Sequence, residues 1–240
     1  MSTVALLEAT SPRPRPVAPA WHTALLIALF MALALAGARF QGHATSSPSP
    51  ATGHPSVVPL YLSLVAAQLG LVAYVARAGL RRTGTPLRAL IAGRWATPGD
   101  VAVDVALGAG LWVLWFAVST AWDRVLGTGH AASIGSYLPR GIFESGLWVL
   151  VSLSAGFAEE IVFRGYLQRQ FTSWTGSPGL ALVLSAAVFG IAHGYQGAMA
   201  CARIALYGAL FGLLALWRKS LRPGMIAHAL TDVLAGLVRI

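Results

Sequence analysis

The sequence predicts an all-α membrane protein, a polytopic bundle of about seven transmembrane helices, with eight as the upper count. Only 10% of its 240 residues are charged and 56% are hydrophobic, whereas a soluble domain usually carries about 25% charged residues. The hydrophobic residues also gather in runs long enough to cross a lipid bilayer. This number of charged residues is too small to form the surface of a soluble domain of this size. We therefore expect lipid to surround much of the chain.

Seven apolar runs define the predicted spans. In chain order they extend from Thr23 to Ala38, Val57 to Ala76, Val101 to Trp122, Phe143 to Ala158, Pro178 to Tyr195, Arg203 to Trp217 and Pro223 to Val238. Two of them open near a proline, which is tolerated in the first turn of a helix. The short loops between the later spans predict antiparallel neighbours. An interfacial helix over Leu87–Trp95 would add an eighth element.

The remaining segments predict how the chain is divided. Residues 1–20 hold four prolines, which interrupt helices, and we expect a disordered tail there. The stretch from Gln41 to Pro59 is rich in Ser, Pro and Gly and predicts an exposed connector. We therefore expect N-terminal transmembrane helices over residues 21–142 and a second part, residues 143–240, that carries the chemistry.

The basic residues predict the orientation of the chain. The net charge is +9, but the arginines lie in loops between apolar runs. With seven spans and a cytoplasmic N-terminus, 12 of the 17 basic residues fall on the cytoplasmic side, as the positive-inside rule requires. The Ala- and Arg-rich composition indicates a bacterial inner membrane, with anionic lipids as partners. No basic helix or aromatic platform predicts nucleic-acid binding.

Three polar segments interrupt the last hundred residues. A charged side chain at the centre of a membrane helix costs at least about 2.5–3.5 kcal/mol, so such residues usually have a function. The polar positions and their neighbours are Glu159, Glu160 and Arg164 in the first segment, Phe189 and His193 in the second, and His228 and Asp232 in the third. Together they predict one shared polar site built from three helices.

The spacing within the first segment predicts different tasks for its two acids. Glu160 and Arg164 are four residues apart, so they share a helix face and can form an ion pair. Glu159 is turned by about 100° from its neighbour, and the position four residues on is Phe163, which has no charge. An unpaired Glu159 suits a general base that acts on water.

The two histidines complete the predicted site. His193 shares a face with Phe189 and could hold a water together with Glu159 if the two helices cross. Asp232 lies one turn after His228 and could fix its tautomer and orientation. His228 could then donate a hydrogen bond to a developing oxyanion. Taken singly, each pattern also fits an ordinary helix pair or a buried polar residue.

The order Glu-Glu-x-x-x-Arg, Phe-x-x-x-His and His-x-x-x-Asp resembles the CPBP family of CAAX proteases and bacteriocin-processing proteins, also called the Abi family. The resemblance covers roughly Ser145 to Ile240. It implies an intramembrane endopeptidase in which Glu159 and His193 activate water while His228 and Asp232 stabilise the oxyanion. Glu160, Arg164 and Phe189 would support the site. This chain has Asp232 where prenyl-protein-processing members often have Asn, and an ionised Asp cannot donate a hydrogen bond.

The resemblance leaves the cofactor and the substrate open. The family is often labelled a metalloprotease, and Glu159, His193 and His228 could supply three ligands to a zinc ion with one open position. A metal-free glutamate mechanism is the other reading. The substrate would be a peptide or a membrane protein, with a prenylated C-terminal peptide implied only by the family name.

Two other functions fit the same residues. A non-catalytic immunity protein or scaffold could keep the polar cluster as glue between helices. A proton-coupled transporter could use the buried carboxylates as a relay. No internal repeat supports a transporter built from inverted halves.

Overall fold

The computed structural model describes residues 14–44, 57–126 and 137–238. Within these ranges the chain forms helices and turns and contains no strand. Residues 1–13 of the predicted tail and residues 45–56 of the predicted connector lie outside the described residues. The division into a tail and two helical parts therefore stays a prediction.

Nine α-helices build the described part of the chain. They are α1 (Ala20–Ala44), α2 (Val58–Tyr74), α3 (Leu87–Ile91), α4 (Pro98–Leu126), α5 (Gly141–Glu159), α6 (Gln168–Thr175), α7 (Pro178–Ala192), α8 (Ala198–Arg218) and α9 (Arg222–Leu237). A π-helical stretch, Glu160–Leu167, joins α5 to α6 without a break. Each of the seven predicted spans corresponds to a helix of at least 15 residues, α1, α2, α4, α5, α7, α8 or α9.

The membrane character of the bundle is confirmed. In the described part of the chain, five helical stretches are long and apolar enough to cross a bilayer: Ala20–Gly37, Val58–Thr83, Pro98–Leu126, Gly141–Thr175 and Ala198–Arg218. Helix α7 is apolar but shorter, with 15 residues. Many large hydrophobic side chains lie exposed along these helices, as expected where lipid replaces water.

Several predicted boundaries differ from the structure: the first helix runs on to Ala44, and the sixth predicted span begins at Ala198. The fourth span does not end at Ala158 but continues to Thr175, because Glu160 and Arg164 neutralise each other inside the core and the helix can run through them. The fifth ends at Ala192 instead of Tyr195. The interfacial helix predicted over Leu87–Trp95 is only α3, which stops where Ala92 and Gly93 take positive φ angles.

The π-helical stretch runs through the centre of the bundle. All eight of its residues are buried. At its end, the backbone N–H of Gln168 donates to the carbonyl of Phe163, five residues earlier, the bonding pattern of a π-helix. Such stretches occur frequently at functional sites. The site helix is thus widened directly after Glu159.

Helix α1 packs along this widened stretch. The ring of Phe30 stacks on Phe163 at 5.1 Å. Both Nδ1 of His22 and the hydroxyl of Thr23 lie within hydrogen-bond distance of the Tyr166 hydroxyl, at 2.7 and 2.8 Å. These contacts fix the first helix of the chain against the helix that carries the two glutamates.

Small residues let the helices around the site approach closely, as is common between membrane helices. A Cβ atom on Gly156 of α5 would lie 2.9 Å from two backbone atoms of α9, the nitrogen of Ala229 and the oxygen of Met225. On Gly108 of α4 it would lie 2.8 Å from the side chain of Ile226. Helix α9, which bears His228, is therefore clamped between α5 and α4.

We expect Gly190→Ala to destabilise the bundle by about 1–3 kcal/mol, the usual cost of overpacking. A methyl group there would overlap the carbonyl oxygen of Cys201 and lie 2.8 Å from the Cβ of Ala205. Gly110→Ala is the matched control, because nothing lies within 4 Å of its added Cβ. It should be neutral or stabilise by up to about 1 kcal/mol. Thermal unfolding of both purified variants measures the difference; equal melting temperatures would contradict the prediction.

Candidate active site

A buried triad of charged and polar groups forms the centre of the candidate site. Nη1 of Arg164 donates to Oε1 of Glu160 at 2.9 Å, which is the ion pair that the spacing predicts. Nδ1 of His228, from α9, lies 3.1 Å from the same oxygen. All three side chains are at most 5% exposed. Because the ion pair supplies the countercharge, Glu160 can be held inside the bundle and can orient the imidazole ring.

Two further carboxylates lie at the other nitrogen of the same ring. Nε2 of His228 is 3.8 Å from Oε2 of Glu159 and 3.7 Å from Oδ2 of Asp232. The Glu159 side chain is 20% exposed and that of Asp232 is 35% exposed, whereas that of Glu160 is fully buried. The two glutamates thus differ as the sequence predicts: one is enclosed and ion-paired, and the other is partly exposed and forms no ion pair with an arginine.

Aromatic rings line the buried side of the cluster. The guanidinium carbon of Arg164 lies 4.3 Å from the ring centroid of Phe189 and 5.4 Å from that of Phe211. The ring of Tyr207 is 5.7 Å from that of His228. The two phenylalanine rings stabilise the guanidinium by cation–π interaction, and all three rings keep the triad in apolar surroundings.

Glycines let α8 and the start of α9 approach the ion pair closely. A Cβ atom on Gly224 would lie 3.1 Å from Oε2 of Glu160, and one on Gly208 would lie 3.3 Å from Nη2 of Arg164. Larger side chains at these positions would press on the ion pair. Helices α8 and α9 can therefore approach the ion pair closely because Gly208 and Gly224 have no side chain.

His193 lies at the end of α7, on the far side of the Phe189 ring. Its ring centroid is 4.9 Å from that of Phe189. Its Nδ1 is 2.8 Å from the carbonyl oxygen of Phe189, and only a protonated nitrogen can donate there. In the neutral ring, Nε2 is then an acceptor. No hydrogen bond or ion pair between described residues joins His193 to Glu159, so any link between them needs a water.

The structure thus joins most of the residues predicted from the sequence. Glu159, Glu160, Arg164, His228 and Asp232 form one connected cluster, and the Phe189 ring contacts both Arg164 of this cluster and His193. The His228 ring is fixed by a hydrogen bond that Glu160 accepts, while Asp232, which the sequence analysis assigned to orient the ring, lies 3.7 Å from its other nitrogen. The roles of these residues in a reaction stay predictions.

Sequence reasoning missed the second aromatic wall, Tyr207 and Phe211. The two residues are four apart and share a face of α8, but in an apolar span such spacing is ordinary. No polar neighbour distinguishes them before the helices are assembled. The glycines that face the ion pair are missed for the same reason.

The described residues do not form the zinc site that would use Glu159, His193 and His228 as ligands. In the described part of the chain, no group of three or more His, Cys, Asp or Glu side chains is arranged to hold a metal ion. The three proposed ligands Glu159, His193 and His228 are not gathered around one point. We therefore derive no step through a metal.

The described residues thus form a helical membrane bundle in which a partly exposed carboxylate lies beside a buried imidazole. Residues 142–234 match the family model of the type II CAAX prenyl endopeptidases, Rce1-like. This match confirms the resemblance to the CPBP family over residues 142–234. It supports a membrane endopeptidase in general. No curated protein and no solved structure matches the chain.

Proposed function

We propose that this protein hydrolyses peptide bonds at the edge of or within the bilayer by means of a water molecule that Glu159 activates. The observation that carries the proposal is the contrast between the two adjacent glutamates. Glu159 is partly exposed and lies 3.8 Å from an imidazole nitrogen, while Glu160 is fully buried and bound to Arg164. A base needs access to water and freedom to accept a proton. Glu159 has both.

In the proposed reaction, Glu159 takes a proton from the water as its oxygen attacks the peptide carbonyl carbon. His193 assists by accepting a hydrogen bond from that water at Nε2, since its Nδ1 already donates to a carbonyl. The tetrahedral intermediate then breaks its C–N bond, and the proton held by Glu159 passes to the leaving amine. A new carboxylic acid and an amine result, so atoms and charges balance.

His228 is the proposed donor to the oxyanion. Its Nδ1 is used by Glu160, so a donor at Nε2 requires the doubly protonated ring. The carboxylates of Glu159 and Asp232, at 3.8 and 3.7 Å from Nε2, would stabilise that form. A charged donor held in place before the reaction is the usual device for stabilising such an intermediate.

We propose a peptide or a segment of a membrane protein as the substrate. The name of the matched family refers to CAAX prenyl peptides, which makes a farnesylated peptide the first probe. We also propose the bacterial inner membrane as the location, from the Ala- and Arg-rich composition, and a cytoplasmic N-terminus, from the distribution of the basic residues.

The test uses the full chain reconstituted in vesicles of phosphatidylethanolamine and phosphatidylglycerol. We expect it to cleave a farnesylated peptide ending in Cys-a-a-X, with two fragments identified by mass spectrometry. Peptides that co-purify from membranes with the Glu159→Ala variant then extend the search to natural substrates. If neither the probe nor any captured peptide is cleaved, and Glu159→Ala retains a phenotype measured in cells, the scaffold reading replaces the protease.

A further inference from the structure

A cavity of about 550 Å³ lies between the segment that precedes α1, the end of the Val58–Thr83 stretch and the end of α6. The first wall is formed by residues 15–20, the second by Thr83 and Thr85, and the third by Trp174. Arg15, Thr83 and Trp174 are exposed, so the cavity opens at the surface. Its volume lies in the range of about 300–1,000 Å³ that is usual for ligand sites.

The cavity lies at the level of the lipid headgroups. Three membrane-crossing stretches begin or end at its walls, since Ala20–Gly37 starts there and Val58–Thr83 and Gly141–Thr175 end there. Trp174 and the nearby Trp21 are both exposed, and exposed tryptophans gather at the boundary between membrane and water. In a bilayer, the molecules that reach such a position are lipids, with the headgroup in the cavity and the acyl chains beside the helices.

The charge around the cavity selects the kind of lipid. Arg15 is the one charged side chain among the described residues that line it. Arg81 and Arg82 are exposed directly before Thr83, and the guanidinium carbon of Arg82 lies 5.2 Å from the ring centroid of Trp21. A guanidinium can bind a phosphate through two parallel hydrogen bonds. These arginines favour a headgroup with a net negative charge, because they would repel the ammonium group of a zwitterionic lipid.

Hydrogen bonds within the chain hold the walls of the cavity together. Oε1 of Gln170, on α6, accepts from the backbone nitrogens of Val17 and Ala18 at 2.9 and 3.2 Å, and Nε2 donates to the carbonyl of Ala18 at 2.8 Å. The hydroxyl of Thr83 donates to the carbonyl of Val17 at 2.7 Å and lies 2.9 Å from the hydroxyl of Thr85. The walls are thus fixed by the fold itself, so a lipid does not have to order them on binding.

We propose that this cavity binds the headgroup of an anionic phospholipid, with Arg15 on the phosphate. The inference does not rest on the proposed peptide hydrolysis and would hold for a non-catalytic scaffold as well. It also differs from a general attraction between basic loops and an anionic membrane, because it requires one lipid at one place.

Native mass spectrometry of the purified full chain, titrated with phosphatidylglycerol in detergent, tests the charge. We expect Arg15→Gln to raise the Kd of the first bound lipid about fivefold, the effect of losing one basic residue near an anionic headgroup. Arg88→Gln is the matched control, because Arg88 is also exposed but lies outside the cavity walls; it should leave the Kd unchanged. Phosphatidylethanolamine should bind more weakly than phosphatidylglycerol.

Ala20→Phe tests the cavity itself. The phenyl ring would occupy part of the space while every charge is kept, so the Kd of phosphatidylglycerol should rise. Ala24→Phe is the matched control, because Ala24 is exposed on the same helix but does not line the cavity. It should leave the Kd unchanged.

Three results would overturn the proposal. Equal rises in Kd for Arg15→Gln and Arg88→Gln, or no rise for Ala20→Phe, would leave only a general attraction to anionic lipid. Equal binding of phosphatidylethanolamine and phosphatidylglycerol would remove the selection by charge. Displacement of phosphatidylglycerol by inorganic phosphate at the same concentration would make the cavity a site for free anions.

Discussion

Glu159→Ala is expected to lower kcat for peptide cleavage by about 10³-fold or more while the protein still folds. A positioned general base contributes about 10²–10⁴-fold, and here the same group also holds the attacking water. Its side chain is partly exposed and makes no hydrogen bond in the described part of the chain, and the buried His228 keeps Glu160 and Asp232 beside it when Glu159 is removed. Activity is measured with the farnesylated probe and folding by thermal unfolding in detergent. Retained activity would refute the role of Glu159.

Glu160→Gln is the matched comparison for this experiment. The amide keeps an acceptor for Arg164 and His228, but the negative charge between them is lost. We therefore expect a smaller loss of activity together with a lower melting temperature. A loss of activity larger than that of Glu159→Ala would reverse the assignment of the two glutamates.

Arg164→Met is expected to destabilise the protein by about 3–5 kcal/mol, the usual cost of leaving one charge of a buried pair without its partner. Glu160 is fully buried, so water cannot replace the lost guanidinium. The cation–π contact with Phe189 is lost as well. Thermal unfolding of the purified variant should show a large fall in melting temperature.

Arg203→Met is the matched control for this change. Its ion pair with Asp123 has the same 2.9 Å length, but the Asp123 side chain is 30% exposed and can be solvated after the change. We expect a loss of no more than about 1 kcal/mol, the range for exposed pairs. Similar losses for the two arginines would show that burial of the glutamate does not set the cost.

The helical membrane fold is predictable from the sequence because its signal is local. Low charge and long apolar runs are sufficient to predict α1, α4 and α8, since each is continuous and apolar. Where helix ends depend on tertiary contacts, the prediction is wrong: nothing local shows that Glu160 is neutralised in the core, so the fourth span was expected to stop at Ala158. The turn after Ala192 likewise depends on glycine geometry.

The candidate site is predictable only in part, for the same reason. The ion pair between Glu160 and Arg164 lies within one helix, and spacing alone predicts it. The hydrogen bond from His228 to Glu160 joins residues 68 apart in sequence, and no spacing rule reaches across two helices.

The π-helical stretch Glu160–Leu167 also determines which way the side chains of α6 point. One additional residue per turn rotates everything downstream by about 100° relative to a regular α-helix. The side chain of Gln170 binds the backbone of Val17 and Ala18. If Glu160–Leu167 were a regular α-helix, this side chain would point in another direction. Deleting a single residue from the π-helical stretch would therefore break the hydrogen bonds between Gln170 and the backbone of Val17 and Ala18, although neither glutamate is mutated.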